Sequence, residues 1–110
     1  MELERYSFVL LRRGPAAGDF SPDELDRLQA AHLAHLDAMT RAGHLVAAGP
    51  FSDQADETLR GFCVYARPLD QTRELAESDP SVRAGRMAVD VMTWWTPAGS
   101  ISFHRDGMPD

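Results

Sequence analysis

The run Tyr6-Ser7-Phe8-Val9-Leu10-Leu11 decides the fold. Its aromatic and β-branched content predicts a strand. Successive side chains of a strand point to opposite faces, so Phe8 and Leu10 share one face and Val9 and Leu11 the other. A sheet built on such a strand is apolar on both sides and needs a cover on each. On the C-terminal side, Arg12-Arg13-Gly14-Pro15 breaks the strand. Ser21-Pro22-Asp23-Glu24 then opens a helix, with Ser21 as N-cap, Pro22 in the first helical position and Glu24 completing a capping box. The helix is expected to run to about Ala42, with Gly43 beyond its end.

The rest of the chain extends this pattern. A short strand is expected over His44 to Ala48, closed by a rigid Gly49-Pro50 turn that presents Phe51. The polar stretch Ser52 to Thr58 predicts a loop, and Leu59 to Arg67 a third strand. Leu69 to Ser78 reads as a second helix with Leu75 and Ala76 facing inward. Asp79-Pro80 starts a further turn, capped by Asp79 and ended by Gly85. Arg86 to Trp95 predicts a fourth strand, with one indole of Trp94-Trp95 on each face. The order is βαββαβ, the split βαβ or ferredoxin-like plan of the α+β class, with a four-stranded antiparallel sheet and helices on one face. Residues 1–96 form one domain and 97–110 a tail. The simplest cover for the second apolar face is the same face of another copy, giving a homodimer whose sheets close into a dimeric α+β barrel.

Composition narrows the function. The 110 residues carry 17 acidic and 11 basic side chains, a formal charge of −6, and every basic residue is Arg. Without lysine there is no Schiff base and no phosphate-loop lysine. A net-negative chain without a basic run is a poor partner for nucleic acid or an anionic membrane. No apolar stretch approaches the roughly 20 residues of a membrane span. The acidic Met1–Arg5 segment lacks the basic and apolar regions of a secretory signal. Cys63 is the one cysteine, which fits a reducing compartment, so a cytoplasmic location is expected. No cofactor motif is present.

At about 100° per residue, Leu25, Leu28, His32, Leu36 and Met39 share one stripe of the first helix. His32 thus stands where such a helix would place a leucine. Two readings follow: a core histidine bonded to a backbone carbonyl, or a general acid/base in a pocket between helix and sheet. His35 stands at the edge of the stripe. With His32 it could share a metal, but no further ligands are placed nearby and no metal site is expected. Asp79 has an adequate structural role as an N-cap. Cys63, between Phe62 and Val64 and without a basic neighbour, reads as a small buried hydrophobe. His44 at the helix exit faces the last carbonyls, and His104 lies in the solvated tail. The tail itself is expected either to be disordered or to pack Ile101 and Phe103 on a partner subunit.

Several segments together resemble the YCII-related (YciI-like) family. They are Phe8-Val9-Leu10-Leu11, Ala31-His32-Leu33-Ala34-His35-Leu36, Gly43-His44-Leu45-Val46-Ala47-Ala48-Gly49-Pro50-Phe51, the stretch from Ala76 through Ser78-Asp79-Pro80 to Gly85, and the last strand with Trp94. Pro68, where the family usually has a Ser-like N-cap, is a departure. The resemblance implies a dimeric α+β barrel and a site built on His32 and Asp79, with Asp79 orienting the imidazole and His32 moving a proton. It implies small-molecule chemistry of the lyase, isomerase or hydrolase type. Phe8, Gly49, Pro50, Phe51 and Trp94 are then expected to form a pocket for a small, cyclic or aromatic substrate. A non-catalytic metabolite-binding dimer and a cofactor-free monooxygenase or isomerase are the alternative readings.

Overall fold

The computed structural model describes residues 1–103. Its elements are β1 (Leu3–Arg13), α1 (Pro22–Arg41), β2 (Leu45–Pro50), β3 (Leu59–Tyr65), α2 (Leu69–Glu77), the single turn α3 (Pro80–Arg83) and β4 (Met87–Pro97). The sheet is antiparallel, in the order β2-β3-β1-β4. This is the ferredoxin-like arrangement, with β1 in the interior of the sheet.

Local chemistry sets the helix boundaries. The Ser21 hydroxyl accepts from the Glu24 backbone N–H, and the Glu24 carboxylate accepts from that of Ser21. At the far end Gly43 takes φ 79°, and the chain reverses into β2. Pro68 supplies no side-chain cap to α2. The Thr72 hydroxyl instead donates to the Arg67 carbonyl, as does that of Ser7 on β1, so buried polar groups anchor this helix start.

The pleat of β1 sorts the two faces as expected. Val9 and Leu11 join Leu45, Cys63, Tyr65 and Ala76 in the core, with Leu36, Met39, Leu75, Met87, Val89 and Val91 packed around them. Phe8 stacks on Phe62 with ring centroids 5.3 Å apart, and Phe62 on Phe51 at 5.9 Å. Tyr6 pairs with Trp94 in register, their rings 6.0 Å apart. Phe8, Phe51 and Trp94 therefore stand on the open face, away from the helices. Phe103 packs edge-on against Tyr6 of its own chain. His104 and the rest of the tail lie outside the described residues.

Two expectations are corrected. Gly49 and Pro50 form the end of β2 instead of a turn. Pro is tolerated there because β2 is an edge strand with an unpaired side. The stripe of α1 is not sealed against the sheet: among its residues only His32 is fully buried, because a cavity separates the first turns of α1 from the strands.

Edge strand β2 lies against a bare backbone. A Cβ on Gly61 would come within 2.4 Å of the Gly49 carbonyl oxygen, whereas one on Gly49 would meet nothing within 4 Å. Gly61→Ala is therefore expected to lower stability by about 1–3 kcal/mol and Gly49→Ala by less than ~0.5 kcal/mol. Urea unfolding midpoints of the two variants check this contrast.

Candidate active site

His32 sits midway along α1, 8 % exposed, and Asp79 on the connection between α2 and α3, 3 % exposed. They are 47 residues apart in sequence, yet His32 Nδ1 and Asp79 Oδ2 lie 2.5 Å apart. Asp79 is also the N-cap of α3. Its Oδ1 accepts from the Ser81 backbone N–H at 2.9 Å and from the Ser81 hydroxyl at 2.8 Å. One carboxylate oxygen thus fixes the turn and the other fixes the imidazole. Burial would by itself raise the Asp79 carboxyl. Hydrogen bonds from His32 and from Ser81 outweigh it and hold the group below its ordinary value of 3.8.

An ionised carboxylate only accepts hydrogen bonds, so Nδ1 of His32 carries a proton. Nε2 is left as the nitrogen available to another molecule. His32 lines a cavity of about 550 Å³ between α1 and the sheet. Leu25, Leu28 and Leu36 form its helix side, Leu11 and Cys63 its floor, and Gly49 and Pro50 one wall. The space has an apolar body with polar groups at few points, as small-molecule sites do.

The structure therefore brings His32, Asp79, Gly49 and Pro50 together. Phe8, Phe51 and Trp94 do not line this cavity: strand alternation turns Phe8 and Trp94 to the open face, and Phe51, just beyond β2, stacks on Phe62. Of the five residues expected to form the pocket, Gly49 and Pro50 line this cavity. The stripe position that singled out His32 also holds in three dimensions: its partner is a carboxylate, not a backbone carbonyl.

His35 lies behind the pair, against a small void shared with His32, Asp79, Cys63 and Tyr65. Its Nε2 is buried and has no hydrogen-bond partner among the described residues. Burial lowers its pKa, with the Asp79 carboxylate opposing and His32 assisting. Among the described residues no three His, Cys, Asp or Glu side chains gather as a metal-ligand set. Burial, reinforced by Asp79, pushes the Cys63 thiol up to about 12, so it rests as a neutral thiol. Burial also raises Tyr65, with Cys63 and Asp79 adding to it. His44 is lowered by burial and then by Arg67. Reading along the chain missed Ser81. The signal was present, since an N-cap Asp commonly bonds the amide two residues on.

An α+β protein of one antiparallel sheet, with a histidine–carboxylate pair at a cavity beneath its long helix, is thus the class defined by the geometry. Residues 7–95 match the model of the YCII-related domain, and the chain belongs to that family. No curated protein matches it. A solved structure similar to this chain is that of 5-chloro-2-hydroxyhydroquinone dehydrochlorinase from Burkholderia phenoliruptrix AC1100 in complex with 2,5-dihydroxybenzoquinone. It is 23 % identical, with 80 % of this chain and 90 % of that chain covered and a TM-score of 0.49. Among the described residues no helix is long and apolar enough to cross a membrane.

The lowered Asp79 pKa fixes the sign of an acid effect. A carboxyl held below its unfolded value stabilises the fold above that value, and the contribution is lost as pH falls through the folded value. Wild type is expected to exceed Asp79→Asn in urea midpoint at neutral pH, and the gap to narrow on acidification below 3.8. A gap that does not change with pH would show that the ionised carboxylate contributes nothing.

Proposed function

We propose that the protein is a small-molecule enzyme in which His32 exchanges a proton with substrate through Nε2 while Asp79 orients the ring. The single observation that carries this reading is the 2.5 Å His32–Asp79 bond on a histidine lining a 550 Å³ cavity. When Nε2 takes a proton, the ring becomes a cation, and the Asp79 carboxylate balances that charge in a buried setting. Returning the proton to a different atom completes an isomerisation. If instead a leaving group departs with its electron pair, the electrons of the broken C–H bond form a new double bond and the reaction is an elimination. If the proton comes from water, the resulting nucleophile gives hydrolysis. The leucine-lined cavity suits a small substrate with an apolar, cyclic body, and Gly49 and Pro50 shape its wall. A reducing, cytoplasmic setting accords with the single buried thiol of Cys63.

The test is a turnover screen of small cyclic and aromatic compounds. His32→Ala and Asp79→Asn are each expected to reduce the activity found by about 10²–10⁴-fold, with the fold retained by circular dichroism. An activity that survives His32→Ala overturns the reading. A chain that turns nothing over, but whose ligand binding weakens in His32→Ala, is the non-catalytic binder instead.

The same proposal includes a homodimer. The open face carries Tyr6, Phe8 and Trp94 as half-buried rings in one chain, and Met92 is 41 % exposed beside them. Pairing two such faces would remove this apolar surface from water. Light scattering is expected to give twice the mass of one chain, and Met92→Asp to shift it toward one. A wild-type monomer at micromolar concentration would refute the pairing.

A further inference from the structure

Two arginines, Arg60 and Arg86, line the same cavity as His32. They arrive from opposite sides of β1. Arg12 pairs with Leu59 on β3 and Arg13 with Met87 on β4, so Arg60 and Arg86 flank the C-terminal end of β1. Two strand spacings separate their backbones, about 10 Å, a gap that two arginine side chains can close on one small group.

Arg60 enters by a local irregularity. The β1–β3 register passes from Leu11↔Gly61 to Arg12↔Leu59, leaving Arg60 as the extra residue of a bulge. Bulges re-aim side chains in this way. Both arginines are half-buried. Among the described residues neither forms an ion pair, whereas Arg12 and Arg41 hold Asp90 and Asp37. Among the described residues the Arg86 side chain makes a single 3.4 Å contact, to the Ala17 carbonyl. Asp26 also lines the cavity without lying within ion-pair distance of either. In a chain of charge −6, two unpaired guanidinium groups at one apolar cavity are cations still lacking an anion. The guanidinium fork donates two parallel N–H bonds to a planar carboxylate and has no acceptor of its own.

We propose that Arg60 and Arg86 are specificity residues that hold a carboxylate of the substrate, placing its apolar body along the α1 leucines and its reacting atoms before His32 Nε2. The substrate class is then a small carboxylic acid. This rests on the proton-transfer reading of His32 but is separable from it, because binding can be measured without turnover.

The probe is benzoate, titrated by NMR into the full chain and compared with benzamide, its neutral isostere. Benzoate is expected to bind at least tenfold more tightly and to shift resonances of Leu11, Leu28 and Leu36. Arg60→Gln and Arg86→Gln are each expected to weaken benzoate by roughly tenfold or more while leaving benzamide unchanged; Arg41→Ala, on the surface, changes neither. His32→Ala should retain benzoate binding and lose turnover. Benzoate binding no more tightly than benzamide in wild type, or equally in both glutamine variants, overturns the proposal, and the wild-type comparison does so even if a variant fails to fold. Loss of the arginine effect with His32 still required for turnover sinks only the carboxylate site. Retained turnover in His32→Ala, with the arginine effect intact, sinks only the proton-transfer reading.

Discussion

One buried hydrogen bond ties the molecule together. His32 on α1 meets Asp79 on the α2–α3 connection, two segments separated in sequence by β2, β3 and α2. A buried carboxylate stripped of its partners would destabilise the fold by several kcal/mol. Asp79 is satisfied by His32 and Ser81 together, and His32 Nδ1 by Asp79. The α2–α3 turn must therefore sit where α1 delivers its ring, and Ser81 holds the second carboxylate oxygen so that the turn cannot rotate away.

The cavity follows from the same arrangement. If α1 were packed against the sheet along its whole length, Leu25 and Leu28 would be buried and His32 would have no space before Nε2. The core is instead concentrated under the second half of α1 and under α2, around Val9, Tyr65 and Ala76. The first half of α1 is held by its capping box and stands over open volume. Stability and access are thus divided along one helix, with His32 at the boundary.

Much of this was legible in the sequence, and the limits have physical causes. Caps and breakers are local, so Ser21–Glu24, Gly43 and Asp79–Gly85 marked their elements. The two-faced reading of Phe8-Val9-Leu10-Leu11 needed only strand alternation, and helical periodicity alone placed His32 inward. Pairing it with Asp79 depended on the family resemblance, because nothing local links residues 47 positions apart. The misplaced pocket rings show the same limit. Phe8, Phe51 and Trp94 cluster plausibly in a list of aromatics, but only the sheet register tells which face each occupies. Gly49-Pro50 read as a turn because its dipeptide punctuates chains, and edge-strand position is a tertiary property. Arg60 gave no signal, since a bulge depends on the alignment of two strands.

That bulge bears on how such a cavity changes over generations. Side-chain alternation normally ties each strand residue to one face, and exchanging one amino acid for another leaves the face unaltered. One unmatched residue between Leu59 and Gly61 breaks that tie locally. Deleting it would restore an even ladder and remove a cation from the cavity without touching His32, Asp79 or the core. A single-codon insertion or deletion in a hairpin arm is therefore enough to change which side chains line this cavity. In this architecture the lining of the cavity is set partly by the count of residues, and the His32–Asp79 pair is insulated from that count.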